Sequence, residues 1–324
     1  MPSSPAKAGR RALLGGVATL AAPVRVQAQN DRPIRMIVAY PPGGASDLTI
    51  RALAPGVSEQ LGQSLVIENR SGASGGIGLM ALARAATDGQ SYAIAAESAI
   101  YRTLLRTDLG YHGLHDLDPV AMLVSQPIVI AVHPALGVAT LGELIAHARR
   151  QSAPLHYVTG GQGGTQTFAA AVLAERTGIQ LEPVAYRGGG QAINDLVGGQ
   201  VRLGFLGTPP ILPHAREGRL RILAVASPTR PSTLPDVPTV AEAAGLEGFG
   251  FEQWQGVFAP RNAPPEATRR FSEALRTALR REEARRALTL LGLEPVGEPP
   301  DVFRQRLARE GRLWVEEGLR LNLG

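Results

Sequence analysis

The stretch Ile34–Leu61 reads IRMIVAYPPGGASDLTIRALAPGVSEQL and contains three parts in a fixed order. Its apolar beginning, Ile34–Tyr40, predicts a buried strand, the proline- and glycine-rich centre predicts a tight loop, and Asp47–Leu61 predicts a helix. A strand that passes through a short loop into a helix is the first half of a βαβ unit, in which successive strands run parallel. The stretch therefore predicts an α/β protein.

The same alternation continues on the C-terminal side of this stretch. Strands separated by helices indicate a mixed, mostly parallel sheet flanked by helices, in which ligands bind beyond the carboxyl ends of the strands. The further predicted strands are Leu65–Glu68, Tyr92–Ala96, Val120–Val124, Ile128–Val132, Leu155–Val158, Leu181–Tyr186, Val201–Leu206 and Ile222–Ala226. The further predicted helices are Ile77–Ala86, Leu141–Arg150, Thr167–Thr177 and Ala192–Val197.

The last third of the chain predicts two amphipathic helices. Pro264-Pro265 opens the first, which Gly292 is placed to end, and the second runs from about Pro300 to Leu319. Both helices should pack against a core formed by earlier parts of the chain, so that the chain crosses between domains twice. The residues expected to face that core are Phe271, Leu275, Leu279, Phe303, Leu307 and Trp314.

The first 28 residues are typical of an export signal. Lys7 and the Arg10-Arg11 pair give a basic start, and a weakly apolar stretch, Ala12–Ala22, follows. This stretch is too short to span a bilayer, which needs about 20 apolar residues. Val26-Gln27-Ala28 offers small residues for cleavage. We therefore predict export, by a twin-arginine signal or by an ordinary secretory signal, and removal of the segment near Ala28.

Charge and composition exclude several classes of function. The export segment holds four of the 33 basic residues and none of the 28 acidic ones, which leaves a balance of +1, and nucleic acid is not an expected partner. The chain has no cysteine, and its only lysine is Lys7, so a mature chain lacks thiolate metal sites and Schiff-base chemistry. We expect a binding protein without a cofactor rather than an enzyme.

Three glycine-rich loops point to the function. Tyr40–Asp47, Arg70–Gly78 and Thr159–Thr165 each follow a predicted strand and precede a predicted helix. Glycine lets backbone amides approach a ligand closely, and the N-terminus of a helix presents free N–H donors with a partial positive charge. Such loops bind anions without a basic side chain. They predict a site for a small carboxylate.

The second loop also matches two enzyme motifs. Gly72-Ala73-Ser74-Gly75-Gly76 has the G-x-S-x-G pattern of a serine hydrolase, although its serine does not follow the strand directly. Gly76–Ala81 fits a loose dinucleotide fingerprint, with Glu97 near the place of a ribose-binding acid. His112 and His115 share a loop, but no third ligand is placed to complete a metal site. These enzyme readings remain alternatives.

Several short motifs, in register along nearly the whole mature chain, resemble the Bug family, the extracytoplasmic solute receptors of tripartite tricarboxylate transporters. Each motif is weak alone, but their combination and order are specific. They include Arg32-Pro33-Ile34-Arg35, Pro42-Gly43-Gly44-x-x-Asp47, Leu61-Gly62-Gln63-x-x-Val66-x-Glu68-Asn69-Arg70, Tyr186-Arg187-Gly188, Gly199-Gln200-Val201 and Leu234-Pro235-Asp236-Val237-Pro238-Thr239-Val240-Ala241-Glu242.

The resemblance implies a two-domain periplasmic-binding-protein fold, similar to type II, with a ligand cleft between the domains. The implied parts are a signal peptide (1–28), domain 1 (29–127), domain 2 (128–251) and a return to domain 1 (252–324). The implied function is capture of a carboxylate by hinge closure and delivery to membrane permease subunits, by a monomer in the periplasm. A ligand sensor for a membrane signalling protein, such as a kinase ectodomain, is the alternative within this fold.

The resemblance also implies a set of ligand contacts. One departure concerns Leu206, because the family usually has Asp at this position, and it predicts a less polar distal end of the ligand. Gly164 and Thr167 also differ from the residues common in the family. The implied contacts are Tyr40, Pro42, Gly43, Gly44, Ser46, Asp47, Gly72, Ala73 and Ser74 in domain 1, and Thr159, Gly161, Gly163, Gly164, Thr165 and Leu206 in domain 2.

Overall fold

Strand β1, Ile34–Val38, forms where its apolar sequence predicts a strand, and four of its five residues are buried. The structure is a computed structural model that describes Met1 and residues 32–106, 108–160, 164–184, 186 and 189–320. The predicted export signal lies outside the described residues, apart from Met1. Residues 32–324 form one unit.

The elements alternate between strand and helix over most of the chain. The other strands are β2 (Leu65–Asn69), β3 (Ser91–Ala96), β4 (Leu117–Val132), β5 (Leu155–Val158), β6 (Leu181–Val184), β7 (Leu203–Gly207), β8 (Arg221–Val225), β9 (Glu252–Pro260) and β10 (Glu294–Glu298). The helices are α1 (Ala45–Leu61), α2 (Gly76–Ala83), α3 (Glu97–Leu105), α4 (Leu141–Arg149), α5 (Thr165–Thr177), α6 (Gly189–Val197), α7 (Thr208–Arg216), α8 (Val240–Ala244), α9 (Pro265–Arg280), α10 (Glu282–Leu290) and α11 (Pro300–Arg320).

The strands form one mixed sheet in the order β2-β1-β3-β9-β4-β7-β5-β6, and β8 and β10 also pair with β4. Parallel pairs lie at both outer parts, where β1 pairs with β2 and β3, and β5 pairs with β6 and β7. Every pair that involves β4 or β9 is antiparallel. The predicted mixed sheet is confirmed, and its parallel parts are those that carry the glycine-rich loops.

Strand β4 connects the two parallel parts. The sequence predicts two strands here, but Leu117–Val132 is continuous, because Pro127 is accommodated where the strand changes partners. Up to Pro127 it pairs with β9, and from Ile128 onward it pairs with β7. These changes coincide with the predicted domain boundaries at 127/128 and 251/252, and the boundaries themselves stay predictions.

The C-terminal helices differ from their prediction in one respect. The first helix ends at Arg280 rather than at Gly292, because Arg281 is extended (φ −64°, ψ 135°) and a separate helix, α10, follows. All six residues predicted to face the core are buried. No helix among the described residues is long and apolar enough to cross a membrane.

Candidate functional site

The three glycine-rich loops lie where the sequence predicts them. The first connects β1 to α1, the second connects β2 to α2, and the third connects β5 to α5. Because β1 and β2 are parallel neighbours, the first two loops leave the same edge of the sheet side by side. Asn69 joins them, since its Nδ2 donates to Tyr40 O (3.1 Å) and to Asp47 Oδ1 (3.0 Å).

Asp47 stabilises the first loop from within. Its carboxylate is 2% exposed and accepts hydrogen bonds from Gly43 N and from Arg51 Nε, each at 2.9 Å. The hydrogen bond from Arg51 lowers the pKa of Asp47 to about 2, and the bonds from Gly43 and Asn69 act in the same direction against burial. Asp47 is therefore ionised and fully engaged in holding the loop.

The other predicted residues of the first loop differ in whether their polar groups already have hydrogen-bond partners. The Gly44 amide donates to Pro41 O at 3.4 Å, and the Ser46 hydroxyl donates to Gln255 Oε1, whereas Pro42 is exposed. The Tyr40 hydroxyl accepts from Ala96 N at 3.2 Å.

The free backbone N–H donors lie in the first turn of α1. No side chain caps α1 at Gly44, and the amides of the first three helical residues have no acceptor among the described residues. The predicted donors of residues 43 and 44 are thus used inside the loop. The amides of Ala45, Ser46 and Asp47 are those that no group in the described part of the chain engages.

The second loop has an unusual backbone. Ala73 (φ 47°) and Ser74 (φ 53°) are non-glycine residues with positive φ, between Gly72 (φ 131°) and Gly75 (φ 96°). The Gly75 amide donates to Gly72 O at 3.0 Å, but those of Ala73 and Ser74 have no acceptor in the described part of the chain. Successive turn residues of this kind form a concave group of amides that suits an anion. All three predicted contacts belong to this group.

The third loop is described only in part, and the predicted contacts Gly161 and Gly163 lie outside the described residues. Gly160 N donates to Gln166 Oε1 at 2.6 Å, and the same side chain donates through Nε2 to Gln253 Oε1 at 2.9 Å. Gly164 precedes α5, and a Cβ atom built on it meets no atom within 4 Å. Thr159 is 2% exposed.

Thr165 connects the third loop to an acid on the other parallel part of the sheet. Its Oγ1 donates to Glu97 Oε1 at 2.6 Å, and Trp254 N donates to Glu97 Oε2 at 3.1 Å. Glu97 follows β3, is 1% exposed and is bonded by no arginine among the described residues. Burial raises the pKa of Glu97 to about 7, although both hydrogen bonds oppose this shift.

Strand β9 touches the loops of both parallel parts. Gln253 accepts from α5, Trp254 donates to Glu97 through its backbone, and Gln255 accepts from Ser46. Three adjacent residues of β9 thus form hydrogen bonds with the first loop, with Glu97 and with the helix that follows the third loop.

Neither enzyme motif has the geometry that it requires. Ser74 is exposed, and no histidine among the described residues bonds to it, so the serine-hydrolase alternative has no base. Gly78 lies inside α2, where a Cβ would come within 2.8 Å of Ala39 Cα, so this glycine serves close helix–strand packing. Glu97 is buried against Thr165 and Trp254, which does not fit a ribose-binding acid.

Leu206 lies in an apolar environment. It is 1% exposed and belongs to a buried cluster with residues such as Val129, Val158, Ala192 and Ile211. It pairs with Val129 across β7 and β4. Its predicted contact with the ligand stays a prediction, and what the structure adds is that its side chain also contributes to the core.

Comparison with known proteins identifies the family. Residues 49–317 match the model of the tripartite tricarboxylate transporter family receptors. The chain belongs to this receptor family. It is also 34% identical to the protein BugT of Bordetella pertussis over 300 residues, which is 92% of each chain.

Solved structures agree with this membership. The receptor superposes with a TM-score of 0.77 on the periplasmic binding protein BugD, to which it is 27% identical, over 90% of this chain and 98% of BugD. It superposes with a TM-score of 0.78 on Rpa4515 of R. palustris with adipate, at 29% identity over 90% and 98% of the two chains. The predicted family and periplasmic-binding-protein fold are confirmed, and the family is one of receptors rather than enzymes.

Sequence reasoning missed the importance of Glu97 and β9 in this receptor. Glu97 drew notice only as a ribose-binding candidate, although an acid directly after the apolar run Tyr92–Ala96 marks the carboxyl end of a parallel strand. The alternation of Gln253 and Gln255 around Trp254 indicates a strand with polar residues on one face. Neither signal identifies the partner residues.

Proposed function

We propose that this receptor captures a small organic carboxylate between its glycine-rich loops and delivers it to the permease subunits of a tripartite tricarboxylate transporter. The observation that carries the proposal is a set of five amides without an acceptor among the described residues, those of residues 45–47 at the beginning of α1 and of residues 73 and 74 in the second loop. Hydrogen bonds from several such amides to one carboxylate, at about 1.5–3 kcal/mol each, would suffice for micromolar affinity after the entropic losses of binding.

The division of the sheet supports capture by hinge closure. We infer that residues 29–127 and 252–324 form one domain and residues 128–251 the other, since β4 exchanges its partners at 127/128. The first and second loops would hold the carboxylate, and the third loop would close on the distal end of the solute. A ligand drives closure only if it binds the closed state more tightly.

The apolar surroundings of Leu206 support a solute with a weakly polar distal end. Adipate, the acid named with the Rpa4515 structure, carries no hydroxyl group between its two carboxylates. We therefore expect adipate to bind more tightly than malate, which carries a hydroxyl group, in isothermal titration calorimetry. Tighter binding of malate would contradict this specificity.

The variant Ala45→Pro tests the amide site. Proline is tolerated at the first helical position, where it removes the N–H group and keeps the helix, and Gly44 (ψ 170°) is already extended as a residue before proline requires. We expect the affinity for adipate to fall roughly tenfold or more, while the free energy of unfolding stays unchanged. Glu282→Pro, at the exposed first position of α10, is the matched control. Equal affinity of the two variants would refute the site.

Closure, export and delivery have separate tests. Addition of adipate should lower the radius of gyration in small-angle scattering, and a constant radius counts against closure.

The protein isolated from the periplasmic fraction should begin after Ala28. Deletion of the receptor gene should abolish uptake of the radiolabelled acid, and continued uptake would contradict delivery to a transporter.

A further inference from the structure

Glu97 is a buried acid between the first and third loops. It connects the third loop to β9 through Thr165 Oγ1 (2.6 Å) and Trp254 N (3.1 Å). It also lies near the first loop, because the amide of the preceding residue, Ala96, donates to the Tyr40 hydroxyl. A solute held by the first two loops would therefore be bound close to this acid.

The charges that face Glu97 do not neutralise it. The adjacent phenols are Tyr40 from the first loop and Tyr101 from α3, and the groups that α5 and β9 hydrogen-bond to Glu97, Thr165 Oγ1 and Trp254 N, are neutral. Helix α11 contributes a second acid, Glu310, which accepts hydrogen bonds from Tyr101 and from Trp254 Nε1.

The cation that pairs with Glu310 is already engaged. Arg306 donates to Glu298 (2.6 Å) and Glu310 (2.9 Å) and lies 3.7 Å from Glu252. It therefore compensates other acids, and Glu97 is left with neutral donors.

We propose that Glu97 takes up one proton from solvent when the receptor closes over a solute, so that the solute is bound as an anion together with one proton. This inference rests on the proposed carboxylate site. Two carboxylates in one buried place without a cation repel each other, and transfer of one solvent proton to a Glu97 oxygen removes that repulsion. The protonated oxygen also becomes a donor, which a second carboxylate can accept.

The direction of the pH effect follows from the environment. Burial holds the pKa of Glu97 near 7 even before a second anion is added, and a solute carboxylate would raise it further. A group that binds its proton more tightly in the bound state strengthens binding as the pH falls. Affinity should therefore decrease above pH 7, by up to about tenfold per pH unit.

Calorimetry measures the proton directly. Adipate is titrated into the full mature receptor at pH 7.5 in two buffers of different ionisation enthalpy, and the difference in heat gives the protons taken up. We expect an uptake of up to about three quarters of a proton for the wild type, because Glu97 is already partly protonated at this pH, and none for Glu97→Gln, which keeps one acceptor for Thr165. Glu283→Gln, an exposed acid on α10, is the control and should behave as wild type.

Wild-type protein provides a second readout that needs no variant. The infrared difference spectrum on addition of adipate should show a new protonated-carboxyl band. Binding of adipate without proton uptake and without this band overturns the inference and leaves the proposed function intact, as does uptake that persists in Glu97→Gln. If neither adipate nor any mono- or dicarboxylate of a panel binds between pH 6 and pH 8.5, the proposed function fails and the inference fails with it.

Discussion

Asp47 and Glu97 are two buried acids in similar places with opposite properties. Each lies in the first turn of a helix, beyond the ends of the parallel neighbours β1 and β3. Asp47 has the Arg51 cation and two amide donors, and its pKa falls to about 2. Glu97 has only neutral donors, and its pKa rises to about 7. The comparison shows that burial raises the pKa of an acid at this site unless a cation such as Arg51 outweighs it.

The largest effect is expected from an acid that has no donors at all. Leu206→Asp would place a carboxylate in the apolar cluster around Val129 and Ile211 and should lower the free energy of unfolding by about 4 kcal/mol. Urea denaturation measures this loss, with the uncharged Leu206→Asn as its control. Unchanged stability together with weaker solute binding would instead place Leu206 at the ligand.

Removal of the well-compensated acid should have the next largest effect. Asp47→Ala removes the acceptor of Gly43 N and of Arg51 Nε and one of the two acceptors of Asn69 Nδ2, so the free energy of unfolding should fall by about 3 kcal/mol in urea denaturation. Asp47→Asn retains an oxygen acceptor and should lose less. A stability of Asp47→Asn equal to that of the wild type would show that the charge of Asp47 is irrelevant.

The two acids should make the free energy of unfolding change with pH in opposite directions. The pKa of Glu97 is raised on folding, so its contribution is complete below about pH 4.5 and disappears as the pH rises through 7, which amounts to about 2 kcal/mol between pH 5 and pH 7. The pKa of Asp47 is lowered, so its contribution is present above about pH 4 and disappears as the pH falls through 2.

Urea titrations of wild type and Glu97→Gln across this range test the first slope. The variant should lack the decline between pH 5 and pH 7, while it retains the acid-side loss that comes from Asp47. An identical decline in both proteins would assign the effect to another group.

The smallest effect concerns the cation that distinguishes the two acids. Arg51 is 51% exposed, so Arg51→Met should lower the free energy of unfolding by less than about 1 kcal/mol. The pKa of Asp47 should nevertheless rise toward its ordinary value, as followed by the carboxyl carbon in NMR titration. Arg269→Met, in the exposed pair with Glu273, is the matched control and should leave Asp47 unchanged. If the pKa of Asp47 is the same in Arg51→Met as in the wild type, the amide donors rather than Arg51 lower it.

Much of the outer fold could be predicted from local sequence. Strand β1, helix α1 and the loop between them follow from apolar runs, helical spacing and glycine, all within 28 residues. The errors occur where tertiary contacts decide. The residues around Pro127 form a continuous strand only because β9 and β7 pair with successive parts of β4, and Arg281 interrupts a pattern whose apolar spacing continues.

The positions of the three glycine-rich loops were determined by the sequence alone, since conformational freedom and helix beginnings are properties of neighbouring residues. The state of Glu97 was decided only by tertiary structure. Its donors come from Thr165 and from Trp254, 68 and 157 positions away along the chain. The pKa of an acid depends on which charges and dipoles surround it in space, and folding alone brings those groups together.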